Sequence, residues 1–329
     1  MAQHNAAAAA AVTTSPAELS SSQSPLVRFY IHLAVNQRYD YLYIVFLLLA
    51  ELVLGYLIIL KVPYTEIDWQ AYMQEVEGWW VDGELDYLKL RGDTGPLVYP
   101  AGFLYLFALL RQATLTTMEV NDGTTVDDGY IANVTDIRTA QYYFLGFYLA
   151  TQCFVLLIYQ MRLSVFRRQK KQATADSTKV SGTTTANLAM AHDIWTWRIV
   201  VMGVLCLSKR LHSIYLLRLF NDGPTMMLLY LSIFLFAQSQ WTIGCLVFSL
   251  AVSLKMNILL FAPGLLLLLL QSSPNLMDTI FVKLGLCCAG PQLLLGAPFL
   301  LSYPISYLRK AFELDRVFFY KWTVNWKVR

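Results

Sequence analysis

YLYIVFLLLAELVLGYLIIL occupies Tyr41–Leu60, twenty residues interrupted by a single acid, Glu51. About 20 apolar residues cross the hydrocarbon core of a bilayer, so this stretch predicts a transmembrane helix. The chain as a whole is 57% hydrophobic and 14% charged, whereas soluble domains average about 25% charged residues. The sequence therefore predicts an all-α polytopic membrane protein, a multispanning helix bundle. The net charge of +3 is too small to indicate a nucleic-acid partner.

Seven further apolar runs follow the first. They are Leu97–Leu110, Ala140–Met161, Ile194–Leu207, Thr225–Ala237, Thr242–Leu254, Ile258–Leu270 and Thr279–Leu301. The run at Leu97–Leu110 is short and contains Pro100 and Gly102, so it either spans the membrane or lies in its surface.

Charge decides between these two alternatives. Residues 62–96 carry eight acids and two bases, and residues 112–138 carry five acids and one base, whereas residues 162–193 carry six bases and two acids. Short loops rich in Lys and Arg stay in the cytoplasm. The two acidic loops are therefore predicted on the opposite, luminal side, which makes Leu97–Leu110 an interfacial helix within one long luminal loop. The sequon Asn133-Val134-Thr135 then becomes accessible to glycosylation.

The domain organisation follows from the same patterns. Residues 1–40 are predicted as a disordered cytoplasmic tail, because their first 24 are rich in Ala, Ser and Thr and lack the apolar core of a signal peptide. Residues 41–329 are predicted as the transmembrane domain. Counting spans along it collects a set of charged side chains on the luminal face. The set is Asp68, Asp93, Arg210, Asp222, Lys255, Arg309 and Arg316.

Several blocks of polar and aromatic residues on that face carry a resemblance. They are EIDWQAYM at Glu66–Met73, GDTGPLVYPAG at Gly92–Gly102, SKRLHSI at Ser208–Ile214, LRLFND at Leu217–Asp222, KMN at Lys255–Asn257 and KWTVNW at Lys321–Trp326. Over about residues 40–329 the chain resembles the dolichyl-phosphate-mannose-dependent α-1,3-mannosyltransferases of N-glycan assembly.

The resemblance implies a fold of the class that uses polyprenyl-phosphate sugars (GT-C) and a multi-pass location in the endoplasmic reticulum membrane. It implies dolichyl phosphate mannose as donor, the dolichyl-diphosphate-linked oligosaccharide Man5GlcNAc2 as acceptor, and inversion at the transferred sugar. The chain lacks the family's C-terminal spans, so we expect a truncated form. Another dolichyl-phosphate-sugar-dependent transferase and an inactive truncated form remain alternatives. A transporter is disfavoured because no internal repeat is visible and the polar residues cluster at one rim.

Inversion needs one base for the acceptor hydroxyl, and Asp68, followed by Trp69, is the predicted base. An N-cap role after the first span is the structural alternative for Asp68. Glu66 is the second candidate base, and Asp93 is predicted to orient a sugar hydroxyl.

A leaving dolichyl phosphate needs positive charge where its negative charge develops. The predicted cations are Arg210, Lys255, Arg309 and Arg316, and snorkelling to the headgroups is the alternative for Lys255 and Arg309.

Three polar residues complete the predicted set. His212 is predicted to bind phosphate or sugar, Asp222 to pair with Arg210 or Arg218, and Glu51 to find a polar partner inside the bundle. No metal and no cofactor are expected, since a lipid monophosphate leaving group does not require a metal-binding carboxylate pair.

The predicted topology can be tested with glycosylation reporters. A reporter near Thr124 should be modified because it lies in the luminal loop, and one near Ala175 should stay unmodified. A gel-mobility shift that disappears on glycosidase treatment measures both. The opposite pattern would show that Leu97–Leu110 spans the membrane.

Overall fold

The computed structural model describes residues 25–36, 38–120, 130–176, 191–272 and 275–312. Eleven helices and two short hairpins cover most of these residues. The helices are α1 (Pro25–Val35), α2 (Arg38–Lys61), α3 (Trp69–Trp80), α4 (Ala101–Thr114), α5 (Ile137–Asp176), α6 (Ala191–Leu217), α7 (Asp222–Ala237), α8 (Trp241–Leu254), α9 (Ala262–Ser272), α10 (Asp278–Ser302) and α11 (Pro304–Ala311). The antiparallel hairpins pair β1 (Arg91–Gly92) with β2 (Gly95–Pro96) and β3 (Leu115–Val120) with β4 (Tyr130–Thr135).

Four helices are long and apolar enough to cross a bilayer: α2, Ile137–Phe166 of α5, α6 and α10. The helix pair α7 and α8, and the segment Met256–Ser272 that begins with a 3₁₀ turn and continues as α9, are shorter and equally apolar. Each of the eight apolar runs in the sequence overlaps one of these helices or α4. The prediction of an all-α polytopic membrane protein is therefore confirmed.

Helix α4 is the element for which the sequence left two alternatives. It has 14 residues, which at about 1.5 Å per residue reach about 21 Å, short of the roughly 30 Å hydrocarbon core. Its buried positions include Phe103, Leu104 and Phe107, so it is packed inside the protein on more than one face. Its length agrees with the predicted non-spanning helix, and the luminal side of its loop stays a prediction.

Two compact units divide the chain, and the first contains residues 1–46 and 159–205. Its centre is the buried guanidinium of Arg198, which donates to Asp40 Oδ1 at 2.6 Å and to the Leu33 carbonyl at 2.9 Å. Trp195 lies over the same guanidinium, 5.4 Å from ring centroid to Cζ. The structure thus places a helix, α1, over residues 25–35 of the predicted tail, in contact with Arg198 through Leu33, and the division of the chain into tail and domain stays a prediction. Residues 1–24 lie outside the described residues.

The second unit contains residues 47–158 and 206–329, and an aromatic core joins α3 to α4 within it. The ring of Tyr72 packs edge-on against Phe103 and Phe107, with centroids 5.2 and 5.0 Å apart. Trp69 is 1% exposed, and its indole nitrogen donates to Thr135 Oγ1 at 3.3 Å. Burying aromatic side chains of this size dominates the energetics of such a core.

Close backbone contacts fix the remaining elements of this unit. A Cβ atom on Gly92 would meet the backbone oxygen of Ala71 at 2.6 Å, so the β1–β2 hairpin lies directly against α3. A Cβ atom on Gly102 would meet Cβ of Ser253 at 2.6 Å, so α4 lies equally close to α8. Both approaches require a residue without a side chain.

Gly92→Ala should lower the free energy of unfolding by about 1–3 kcal/mol, the usual cost of forcing a methyl group into a packed site. Thermal unfolding in detergent measures the change. Gly146→Ala is the control, since a Cβ there meets nothing within 4 Å and alanine favours the helix by up to about 1 kcal/mol. Equal stability of the two variants would contradict the close approach of the hairpin.

Candidate active site

Asp68 stands at the start of α3, where the chain leaves the loop that follows α2. It occupies the N-cap position, but its carboxylate makes no capping hydrogen bond. The carboxylate instead accepts a hydrogen bond from the Tyr72 hydroxyl at 3.4 Å, one turn further along the helix. The side chain is partly exposed, so it can both contact the protein and meet a substrate.

Glu66, the second candidate base, is engaged differently. Its Oε1 accepts from the backbone N–H of Gln70 at 3.2 Å, and its Oε2 accepts from the Tyr64 hydroxyl at 2.8 Å. Glu66 therefore performs the capping role that was the structural alternative for Asp68. Of the two acids, Asp68 has the carboxylate less occupied by the protein.

The surroundings of Asp68 shift its pKa in the direction that suits a general base. Burial raises the pKa of Asp68, the Tyr72 hydrogen bond and the charge of Lys255 lower it, and the charges of Glu66 and Asp222 raise it again. The net direction is upward. A carboxylate with a raised pKa accepts a proton more readily and is better matched to neutral pH.

Lys255 and Asp222 form an ion pair beside Asp68, with 2.7 Å between Nζ and Oδ1. Asp222 begins α7 and Lys255 follows the last residue of α8. A short turn at residues 238–240 joins α7 to α8, and the two helices pack against each other in opposite directions. The N-terminus of α7 therefore lies beside the C-terminus of α8. The amide of Asn221 strengthens this junction by donating to the Leu254 carbonyl at 2.9 Å. Asp222 thus pairs with a cation other than the predicted Arg210 or Arg218.

The link between α6 and α7 contains a strained residue. Leu219 has φ +50° and is fully buried, and a non-glycine residue in this left-handed region carries backbone strain. The N–H of Phe220 bonds back to the Ile214 carbonyl at 3.2 Å. This tight turn brings Asn221 and Asp222 to the end of α8.

Asp93 lies in the turn between β1 and β2 and is held by one glutamine. Gln74 Nε2 donates to Asp93 Oδ2 at 2.8 Å, and the Asp93 N–H donates to Gln74 Oε1 at 2.7 Å. The residue is exposed, and its predicted contact with a sugar hydroxyl stays a prediction.

His212 and Glu51 meet inside the bundle. His212 Nε2 lies 2.7 Å from Glu51 Oε2, and the Tyr148 hydroxyl donates to the same oxygen at 2.8 Å. The polar partner predicted for Glu51 is therefore confirmed. The His212 ring is buried in this network, and its predicted contact with phosphate or sugar stays a prediction. Arg210, in the same turn, is exposed.

Arg309 lies on the exposed side of α11. The helix packs on the acidic loop: Ser306 Oγ bonds to the Asp86 carboxylate and accepts from the Leu88 N–H at 3.1 Å. The helix that begins at Pro304 therefore contacts the acidic loop, and the side of the membrane on which both lie stays a prediction. Arg316 lies outside the described residues.

Glu75 is a residue that the sequence reasoning missed, because it was counted only as one of the loop's acids. It is 4% exposed, and its Oε2 has no hydrogen-bond partner in the described part of the chain. Burial, followed by the charge of Asp68, raises the pKa of Glu75 to about 8. The spacing of Asp68, Tyr72 and Glu75, four and then three residues, places them on one helix face and was the available signal.

Comparison with known proteins assigns the chain that carries these residues to a family. The model of the ALG3 protein family matches residues 45–169 and 181–328. The chain belongs to the ALG3 family. Its matched region includes Asp68, Asp93, Asp222 and Lys255 together with the aromatic core of α3 and α4. No solved structure matches the chain.

Named relatives of the family come from animals and plants. The chain is 44% identical over 290 residues to the Homo sapiens Dol-P-Man:Man(5)GlcNAc(2)-PP-Dol alpha-1,3-mannosyltransferase, covering 88% of this chain and 54% of the relative. It is 42% identical over 301 residues to the Drosophila melanogaster protein l(2)not2, covering 92% and 51%. It is 41% identical over 281 residues to the Arabidopsis thaliana relative, covering 85% and 52%. The chain spans about half the length of the curated relatives it matches.

Glu75→Gln should stabilise the fold at neutral pH. A pKa near 8 in the folded state, against 4.5 for the free side chain, means that stability is full below about pH 4.5 and is lost as the pH rises towards 8. Replacing the carboxyl by an amide of the same shape removes this loss, roughly 3 kcal/mol at pH 7. Thermal unfolding in detergent at pH 5 and pH 7 measures it.

Glu77→Gln is the matched control, because Glu77 lies on the same helix as Glu75, is exposed, and pairs with Arg111 of α4 at 3.1 Å. Its unfolding should stay within the error of the original chain at both pH values. If the stability advantage of Glu75→Gln over the original chain did not increase between pH 5 and pH 7, Glu75 would be ionised in the folded state.

Proposed function

We propose that this chain transfers mannose from dolichyl phosphate mannose to the lipid-linked oligosaccharide Man5GlcNAc2-PP-dolichol, forming an α-1,3 linkage at the luminal face of the endoplasmic reticulum membrane. The names of the relatives support the two substrates and the linkage. The observation that carries the proposal is the carboxylate of Asp68, partly exposed and not used as a helix cap, beside the Lys255–Asp222 pair.

The proton of the acceptor hydroxyl goes to Asp68. As that O–H bond breaks, the oxygen attacks the anomeric carbon of the donor mannose from the face opposite the phosphate, so the configuration inverts. One carboxylate is enough for this reaction, in contrast to the paired carboxylates of a retaining glycosidase. The raised pKa of Asp68 suits the proton transfer.

The bond between the anomeric carbon and the phosphate oxygen breaks at the same time, and its electron pair stays on dolichyl phosphate. Lys255 is a cation whose charge acts on the proposed base and lowers its pKa. An ammonium group has three N–H donors, and Asp222 accepts one of them. We assign Lys255 to the developing charge of the phosphate, with Arg210, Arg309 and Arg316 as further candidates along the same rim.

The transfer uses no cofactor, since dolichyl phosphate mannose is consumed as a substrate. It also uses no metal ion, because a lipid monophosphate leaves with a charge that cationic side chains can balance.

Asp68→Asn tests the base. The variant keeps the size of the side chain and removes its basicity, so transfer should fall by about 10²–10⁴-fold, the usual contribution of general-base catalysis, with unchanged protein level. Lipid-linked oligosaccharides are profiled in microsomes from cells that lack their own enzyme for this step, with the chain or its variants restored.

Asp82→Asn is the control, because Asp82 is an exposed acid in the turn after α3 and should leave transfer unchanged. Near-normal product from Asp68→Asn together with a loss in Glu66→Gln would move the base to Glu66. An unmutated chain that restores no Man6 product would contradict the proposed function itself.

A further inference from the structure

We infer that Glu75 is a positioning residue that acts through Asp68: a second, buried carboxyl that keeps its proton and so leaves Asp68 as the single anionic carboxyl on the inner face of α3. The inference rests on the proposed function, in which Asp68 is the base. It assigns a role to an acid that the mechanism above does not use.

The geometry of α3 connects the two acids. Asp68, Tyr72 and Glu75 follow one another at intervals of four and three residues, which puts them on one face of the helix. The Tyr72 hydroxyl donates to Asp68 at 3.4 Å and lies 3.5 Å from the Tyr99 hydroxyl. The charges of both Asp68 and Glu75 raise the pKa of Tyr99, so both carboxyls lie within electrostatic reach of this phenol.

Among the described residues, the neighbours of Glu75 include no cation paired with its carboxyl. Tyr87 and Tyr99 belong to the loop between α3 and α4. Burial raises the pKa of both phenols, and the charge of Glu75 raises it further. Across from α3, the guanidinium of Arg111 on α4 is bound to Glu77 at 3.1 Å. From α11, Tyr307 packs on Tyr87. No ion pair among the described residues includes Glu75, and the charge that acts on it most is the like charge of Asp68.

This environment selects the protonation state of each acid. Two carboxylates that repel one another titrate as a pair, and the first proton leaves the better-solvated one. Asp68 is partly exposed and close to Lys255, whereas Glu75 is 4% exposed without a cation. Asp68 therefore ionises first. A second negative charge behind it would repel the anionic donor and the leaving phosphate, so the protonated form of Glu75 is the one that permits transfer.

A purely structural role explains the position less well. A hydrophobic residue of similar volume would fill the same interior space without an unpartnered oxygen, which is costly when buried. Perturbed acids of this kind concentrate at functional sites. Glu77, two residues further on, shows the alternative arrangement of an exposed acid with an ion-pair partner.

The kinetic test is the pH dependence of kcat/KM for the donor lipid, measured in microsomes with the full chain, Glu75→Gln and Glu77→Gln. For the original chain the rate should rise as Asp68 loses its proton and fall above about pH 8 as Glu75 loses its own. One pH unit above that value the fall should be about tenfold. In Glu75→Gln, kcat/KM should still rise as Asp68 loses its proton but should not fall above about pH 8. Glu77→Gln should have the same pH profile as the original chain.

If kcat/KM of Glu75→Gln falls above pH 8 as it does in the original chain, the inference is overturned. A Glu75→Gln protein present at normal level but inactive at every pH would overturn it too, because the carboxylate itself would then be required. Glu75→Met, of similar length and without a proton to lose, must reproduce the Glu75→Gln profile if the amide variant is poorly produced.

A second measurement separates this inference from the proposed function. Thermal unfolding of Glu75→Gln, Asp68→Asn and the double variant at pH 7 forms a double-mutant cycle that needs no turnover. The stabilisation from Glu75→Gln should be smaller when Asp68→Asn has already removed the like charge. Equal stabilisation in both backgrounds would mean that the two carboxyls are uncoupled, and the inference would fail even for an active chain. Coupling without any transfer would instead contradict the proposed function.

Discussion

The packing of α3 against α4 is the contact on which the candidate site depends. Trp69 and Tyr72 are buried against Phe103 and Phe107, which fixes the rotation of α3 about its axis. That rotation places Asp68 at the rim and Glu75 in the interior, although both belong to one acidic loop. The same aromatic core therefore creates two carboxyl environments from one helix, one partly solvated and one dry.

Most of the architecture could be predicted because apolar length is a direct consequence of bilayer thickness. Each of the eight apolar runs overlaps a helix of the structure, and α4 is as short as the predicted interfacial helix, whose place in the membrane stays a prediction. Composition did not indicate the helix α1, whose Leu33 carbonyl accepts a hydrogen bond from Arg198, a residue more than 150 positions away. Local composition carries no information about such a distant partner.

The candidate site could be proposed from the sequence only in part. Asp68 is a candidate because an acid beside a tryptophan at the end of a span is a local pattern, and its role as the base stays a prediction. Its neighbours were not predicted: the Lys255–Asp222 pair depends on the packing of α7 against α8, and the capping contact of Glu66 depends on the conformation of the loop before α3. Residues 62–96 were interpreted only by their net charge. Applying helical periodicity to them would have placed Glu75 on the same helix face as Asp68.

The contact between Gly102 and Ser253 has a consequence for inherited variation. Ser253 precedes Lys255 by two residues, so the distance between α4 and α8 sets where the ammonium group stands. A bulkier residue at position 102 would push that charge away from Asp68 while every functional group stayed present. A loss-of-function allele at this glycine would thus act on the alignment of the site in addition to any loss of stability.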